Sequence, residues 1–198
     1  MIPIALDPRF VRLAVCGNGS LALRRFNALR AAGAADVLLF ADAPIPELQA
    51  AASDAWRSRL PNTEDLAALH TLWIVDLDAI KAEPLAKAAR ARMLLVNIED
   101  VPAFCDFHSV AEIRRGDLLL TISTGGAAPG LAGLIRRRLE AMFDGRWADR
   151  LIELRALRAS WRSQGVPMAE AMRRIETLVA ERGWLDEPEK VNTSRTNS

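Results

Sequence analysis

A chain of 198 residues, 51% hydrophobic and 26% charged, has the material for one ordinary domain with an appendage and a sizeable core. Its net charge of +1 argues against nucleic acid as the main partner, and no apolar run reaches the length needed to span a membrane. Cys16 and Cys105 lie far apart at no metal spacing, two histidines make no histidine-rich site, and the N-terminus has no charged segment ahead of an apolar one, so no resident metal is expected and the cytoplasm is the expected location.

The first hundred residues alternate between two periodicities. Strands are predicted over Arg12–Cys16, Val37–Phe40, Leu72–Val75 and Met93–Val96, with a short one near Trp56–Arg59. Helices are predicted over Ser20–Ala32, Ile45–Ala52, Glu64–Leu69 and Ile80–Arg90. Short apolar strands divided by helices imply a parallel sheet covered on both faces. From about Ser109 the pattern changes. Val110–Arg114 and Leu118–Ser123 read as two strands joined at Arg115-Gly116-Asp117, followed by a helix over Leu131–Met142. Two further helices, Trp147–Ser163 and Met168–Glu181, are separated by Gln164-Gly165-Val166-Pro167, and a polar tail runs over Glu187–Ser198.

The first strand leads into Gly17-Asn18-Gly19-Ser20-Leu21-Ala22 and then a helix. Strand, G-x-G-x-x-A and helix is the arrangement that places a dinucleotide pyrophosphate on a helix N-terminus. Gly17 allows a tight turn, Gly19 lets backbone approach phosphate, and Ala22 lets helix and strand pack closely. Asp42, two residues past the second strand, is either a carboxylate for a ribose diol, favouring NAD over NADP, or a turn residue ahead of Pro44. After the strand Met93–Val96 comes Asn97-Ile98-Glu99-Asp100-Val101-Pro102. In such sheets the carboxyl ends of strands line the ligand crevice, so Asp100 is either a proton acceptor or a turn residue, and Glu99 competes for the same role.

Thr124-Gly125-Gly126 ahead of a helix is either a second anion cradle or a turn that needs glycine. Arg136-Arg137-Arg138, with Arg114 and Arg115, is either a solvated surface or a site for a ligand rich in carboxylates. His108 is either a base or transient ligand, or structural; His70 reads as structural. Trp147, Trp161 and Trp184 read as packing residues. With no tyrosine in the chain, the Tyr-x-x-x-Lys pair of a short-chain dehydrogenase is excluded.

Taken in order, Gly17 to Arg25, Ala32-Gly33-Ala34, Asn97 to Pro102, and Ile122 to Pro129 followed by Leu139-Glu140 resemble the precorrin-2 dehydrogenase / sirohydrochlorin ferrochelatase module of siroheme synthases. The resemblance covers nearly the whole chain. It implies an α/β architecture: a Rossmann-type parallel sheet over 1–108, a small α+β dimerisation region over 109–146, and a C-terminal helical segment over 147–198. It implies an intertwined homodimer with the active site between the subunits, oxidation of precorrin-2 to sirohydrochlorin with NAD, and, in many members, insertion of Fe2+ as a substrate metal. The implied catalytic residue is Asp100. Cofactor binding falls on Gly17, Asn18, Gly19, Ser20, Leu21, Ala22, Asp42 and Asp76. Substrate binding falls on Ser123, Thr124, Gly125 and Gly126, and the arginine-rich surface read from the residues adds Arg114 and Arg137 as partners for the substrate's carboxylates. Some members are phosphorylated at a serine where this chain has Thr124.

Three departures stand out. Asp76 replaces a hydroxyl residue beside the cofactor and adds negative charge there. Leu23 replaces a glutamate, and a proline common near Val110 is missing. The 198 residues do not include the methyltransferase domain of fused siroheme synthases, and the resemblance then implies that methylation of uroporphyrinogen would be expected elsewhere. These departures support an alternative, a non-catalytic tetrapyrrole- or NAD(H)-binding paralogue acting as carrier or sensor.

Overall fold

The computed structural model describes residues 2–99 and 101–186. The chain divides into two compact units, Met1–Ser109 and Val110–Ser198. In the first, the apolar runs pair into a five-stranded parallel sheet. Its strands are β1 (Leu13–Cys16), β2 (Leu38–Phe40), β3 (Trp56–Arg57), β4 (Thr71–Ile74) and β5 (Leu95–Ile98), in the spatial order β3-β2-β1-β4-β5. The helices α1 (Ser20–Ala31), α2 (Pro46–Ala52), α3 (Thr63–Ala68) and α4 (Ala79–Arg90) connect them.

Strand alternation sorts the core into two layers. Ala14 and Cys16 of β1 face a cluster that includes Leu66 of α3 and Leu85, Ala86 and Ala89 of α4. Leu13 and Val15 face the other side, with Ala22 and Phe26 of α1 and Leu48 and Ala52 of α2. Both faces of β1 are thus covered, which is why every residue of the strand is buried. The strand order reverses at β1, between β2 and β4, and opens a crevice at the carboxyl ends of the strands.

One strand is displaced by two residues from the sequence expectation. Met93–Val96 is replaced by Leu95–Ile98, because α4 ends through a left-handed residue at Met93 (φ 61). The N–H groups of Met93 and Leu94 donate to the carbonyls of Arg90 and Ala89, a closing turn that uses up the residues before the strand. Asn97 and Ile98 therefore belong to the strand and are buried rather than lying in the loop after it. Two caps set helix starts earlier than expected: Asn62 and Asp65 form a capping box for α3, and Asp78 caps α4.

The second unit holds the antiparallel pair β6 (Ala111–Arg115) and β7 (Leu118–Ile122), then α5 (Pro129–Met142), α6 (Arg146–Ser163) and α7 (Met168–Glu181). Trp147 and Trp184 are buried with ring centroids 6.2 Å apart, and the Arg150 guanidinium lies 4.8 and 4.9 Å from the two rings. The packing reading of these two tryptophans is thus what the structure displays. No helix among the described residues is long and apolar enough to cross a membrane.

Candidate functional site

The crevice begins where β1 ends. The Cys16–Gly17 peptide extends the sheet in both directions: the Gly17 N–H donates to the Phe40 carbonyl, and the Cys16 carbonyl accepts from Val75 N–H. A Cβ at Gly17 would stand 1.9 Å from the Val75 oxygen, so close approach of neighbouring backbone, rather than an unusual dihedral, demands glycine here. Asn18 ties the loop to the segment after β2. Its amide donates to Asp42 Oδ1 at 2.8 Å, its side-chain oxygen accepts from Ala43 N–H, and its carbonyl accepts from Ile45 N–H.

Asp42 sits at the carboxyl end of β2, and both of its oxygens are engaged. Oδ2 pairs with Lys81 Nζ at 2.9 Å, reached from the first turn of α4. The Lys81 ammonium, and after it the Asn18 amide, hold the Asp42 carboxyl below the usual carboxylate range. The neighbouring Cys16 is fully buried, and burial pushes its thiol up to about 12, so it is an inert packing residue. Lys81 has no sequence motif of its own. Its relevance follows only from α4 starting beside the glycine loop.

Helix α1 starts at Ser20 behind Gly19, with Leu21 and the buried Ala22 completing its first turn. It has no acidic residue in that turn and no capping side chain at Gly19. Its first N–H groups have no partners within the helix. One of them, from Ala22, donates to Asp76 Oδ2 at 2.9 Å. Asp76 follows β4 and has a left-handed backbone, φ 53.

A cavity beside it is lined by Val75, Asp76, Ala82, Glu83, Ile98 and Glu99. Glu99 is paired with Arg25 of α1 at 3.4 Å, and both side chains are mostly buried. That pairing gives Glu99 a fixed partner and weakens its claim as a freely acting base. Asp100 lies outside the described residues. Another hollow, lined by residues including Arg12, Leu13, Val37 and His70, is at the opposite, amino end of the sheet, away from the crevice. His70 is structural there: its Nδ1 accepts from Arg12 N–H at 2.9 Å.

Gly17, Asn18, Gly19, Ser20, Leu21, Ala22, Asp42 and Asp76 therefore meet at one crevice. Its frame fits a dinucleotide: a glycine loop between β1 and α1, a helix N-terminus with no acidic residue in its own first turn, and a carboxylate at the end of β2; the one carboxylate reaching that N-terminus among the described residues is Asp76, from the segment after β4. Among the described residues, no group of three or more His, Cys, Asp or Glu side chains is placed to hold a metal ion.

In the second unit, Ser123 to Gly126 link β7 to α5. Ser123 Oγ accepts from Gly125 N–H and Thr124 Oγ1 accepts from Ala128 N–H, each at 3.2 Å. Gly125 and Gly126 both have left-handed φ, 67 and 86. The loop is mostly exposed. The strand register puts it at the Ala111 end of the hairpin, whereas Arg114 pairs across from Leu119 near the turn and bonds Glu112 at 3.2 Å. Arg136 is paired with Glu140 on α5. Arg137 is exposed, with no carboxylate partner among the described residues. The structure thus builds the loop but does not gather Arg114 to it.

Comparison with known proteins agrees with this architecture. A family model described as putative NAD(P)-binding matches residues 4–111, and one described as sirohaem biosynthesis protein central matches residues 115–142. The siroheme synthase of Nitrosococcus oceani is 34% identical over 145 residues, 71% of this chain and 31% of that protein. The siroheme synthase of Xylella fastidiosa is 34% identical over 188 residues, 89% of this chain and 39% of that protein. The chain thus spans about a third of the length of these relatives. The solved structure of SirC, a precorrin-2 dehydrogenase, superposes with a TM-score of 0.72 at 21% identity, covering 94% of this chain and 93% of that one, which establishes the common fold. The chain belongs to the putative NAD(P)-binding family and, with the sirohaem biosynthesis segment directly behind that match, carries the paired signature of the N-terminal module of siroheme synthases.

Proposed function

We propose that the chain oxidises precorrin-2 to sirohydrochlorin with NAD+, as a cytoplasmic homodimer, and that Fe2+ is a further substrate inserted into the product. The observation that carries this reading is the succession, in one chain, of a glycine loop at the switch point of a parallel sheet and the sirohaem biosynthesis segment behind it. NAD+, when bound, accepts a hydride. The backbone of Gly17 to Ala22 would hold its pyrophosphate and Asp42 a ribose diol. Asp100 is assigned the proton that leaves the substrate with that hydride. Ser123, Thr124, Gly125 and Gly126 are assigned to substrate, with Arg114 and Arg137 as partners for its carboxylates. The homodimer reading draws support from α5, where Leu131, Leu134, Ile135 and Met142 are exposed at spacings that put them on one side of the helix.

A second reading, a non-catalytic tetrapyrrole- or NAD(H)-binding protein, is favoured by one observation: the Asp76 carboxylate at the α1 N-terminus. The test is to mix purified protein with enzymatically made precorrin-2 and NAD+ without oxygen, follow NADH and sirohydrochlorin absorbance, and then add Fe2+. The dehydrogenase reading expects NADH and sirohydrochlorin together, lost in Asp100→Ala, and a further spectral change with iron if chelation follows. Tetrapyrrole binding without NADH formation selects the second reading.

A further inference from the structure

A helix N-terminus that binds a pyrophosphate does so with free N–H groups and the positive end of its dipole. In α1 one of those groups is already taken. Ala22 N–H donates to Asp76 Oδ2 at 2.9 Å, across 54 residues of sequence. The same carboxylate lies against Gly19: a Cβ built there would stand 2.7 Å from Oδ2 and 2.8 Å from Cγ. The space that glycine leaves open at the second position of the motif is therefore filled by a side chain of the protein itself.

Asp76 reaches it from a left-handed backbone at φ 53, a region that few non-glycine residues adopt and in which Asp and Asn are enriched. Among the described residues no lysine or arginine pairs with this carboxylate: Lys81 is spent on Asp42 and Arg25 on Glu99. Glu83 and Glu99 line the cavity beside it. A dinucleotide phosphate entering here meets a like charge in the place it needs.

We propose that Asp76 is a built-in competitor of the cofactor, an internal anion that occupies the α1 cradle of the free protein and must turn out of it before a dinucleotide binds. It thereby sets the affinity of this chain for NAD(H). The inference rests on the reading of the crevice as a dinucleotide site, and it concerns binding, not turnover.

Asp76→Asn and Asp76→Gly separate charge from occupancy, and both residues tolerate the left-handed backbone. Asn keeps an acceptor for Ala22 N–H without the charge; Gly empties the cradle. NADH is titrated into the full-length wild type and both variants by its fluorescence, at one pH and ionic strength, with thermal unfolding as a check that each is folded. The expected result is tighter NADH binding in both, by roughly tenfold or more for the glycine variant, since like-charge juxtaposition in a binding site is expensive. Adenosine, which has no phosphate, is expected to bind all three proteins alike. NADH affinities within about twofold of wild type in both variants, or an equal gain for adenosine, overturn the proposal. Tighter NADH binding by the variants with no precorrin-2 oxidation by any of the proteins would sink the enzymatic reading and leave this one standing. Turnover by wild type with unchanged affinity in the variants would do the reverse.

Discussion

Two glycine loops, each feeding a helix, do their work by opposite means. At Gly17-Asn18-Gly19 neither glycine has a left-handed φ; Gly17 is required by the Val75 carbonyl beside it, and Gly19 leaves the space that the Asp76 carboxylate fills. The groups that complete this loop, Asp42, Lys81 and Asp76, come from 24 residues away and more. At Thr124-Gly125-Gly126 both glycines are left-handed, and a Cβ on Gly126 would meet nothing within 4 Å. That loop is completed by its own hydroxyls, Ser123 and Thr124, within four residues. The first loop is a product of tertiary packing and the second of local conformation.

The sharpest way to break this contrast is to add one methyl group to each loop. Gly17→Ala is expected to cost about 3 kcal/mol in denaturant unfolding, because the clash is with backbone that the sheet holds in place and no flexible side chain can yield. Gly126→Ala is expected to cost roughly 1–2 kcal/mol, the price of a left-handed alanine in open space. If the two costs come out equal, crowding is not what distinguishes the first loop. Removing a hydroxyl probes the second loop from the other side. Thr124→Ala forfeits the bond to Ala128 N–H ahead of α5, an expected loss of about 1 kcal/mol that Thr124→Ser restores.

The same contrast explains what could be read from sequence. The parallel sheet and its helices are legible because short continuous apolar runs and helix periodicity are local signals. Helix ends at Gly33 and Gly165 are legible because glycine announces a left-handed residue, and both have φ well above zero. Met93 has the same backbone role at the end of α4 with no glycine to announce it, and the sequence expectation puts the next strand two residues early.

At the crevice, the glycine motif and Asp42 are legible from spacing. The pairing of Asp42 with Lys81, and of Glu99 with Arg25, is not, since each joins residues on different elements. Asp76 is placed beside the cofactor loop by the family resemblance. That its carboxylate caps α1 depends on a backbone dihedral that no residue type there specifies.

The smallest expected effect bears on how tightly the first loop depends on remote partners. Lys81→Ala removes the cation from Asp42 while leaving Asn18 in place. Because Lys81 is the leading cause of the lowered Asp42 titration, the carboxyl is expected to move up toward the ordinary carboxylate range in an NMR pH titration, though not all the way. A carboxyl whose folded value lies below its unfolded value stabilises the fold above the unfolded range, and that contribution fades as pH falls through the folded value. Wild type and variant should therefore differ slightly at neutral pH and converge in acid below the wild-type Asp42 transition. The pair is partly exposed, so added salt should shrink the neutral-pH difference as well. A titration of Asp42 that ignores the loss of Lys81 would mean that Asn18 alone fixes the carboxylate, and the first loop would then be held together by the same short polar contacts as the second.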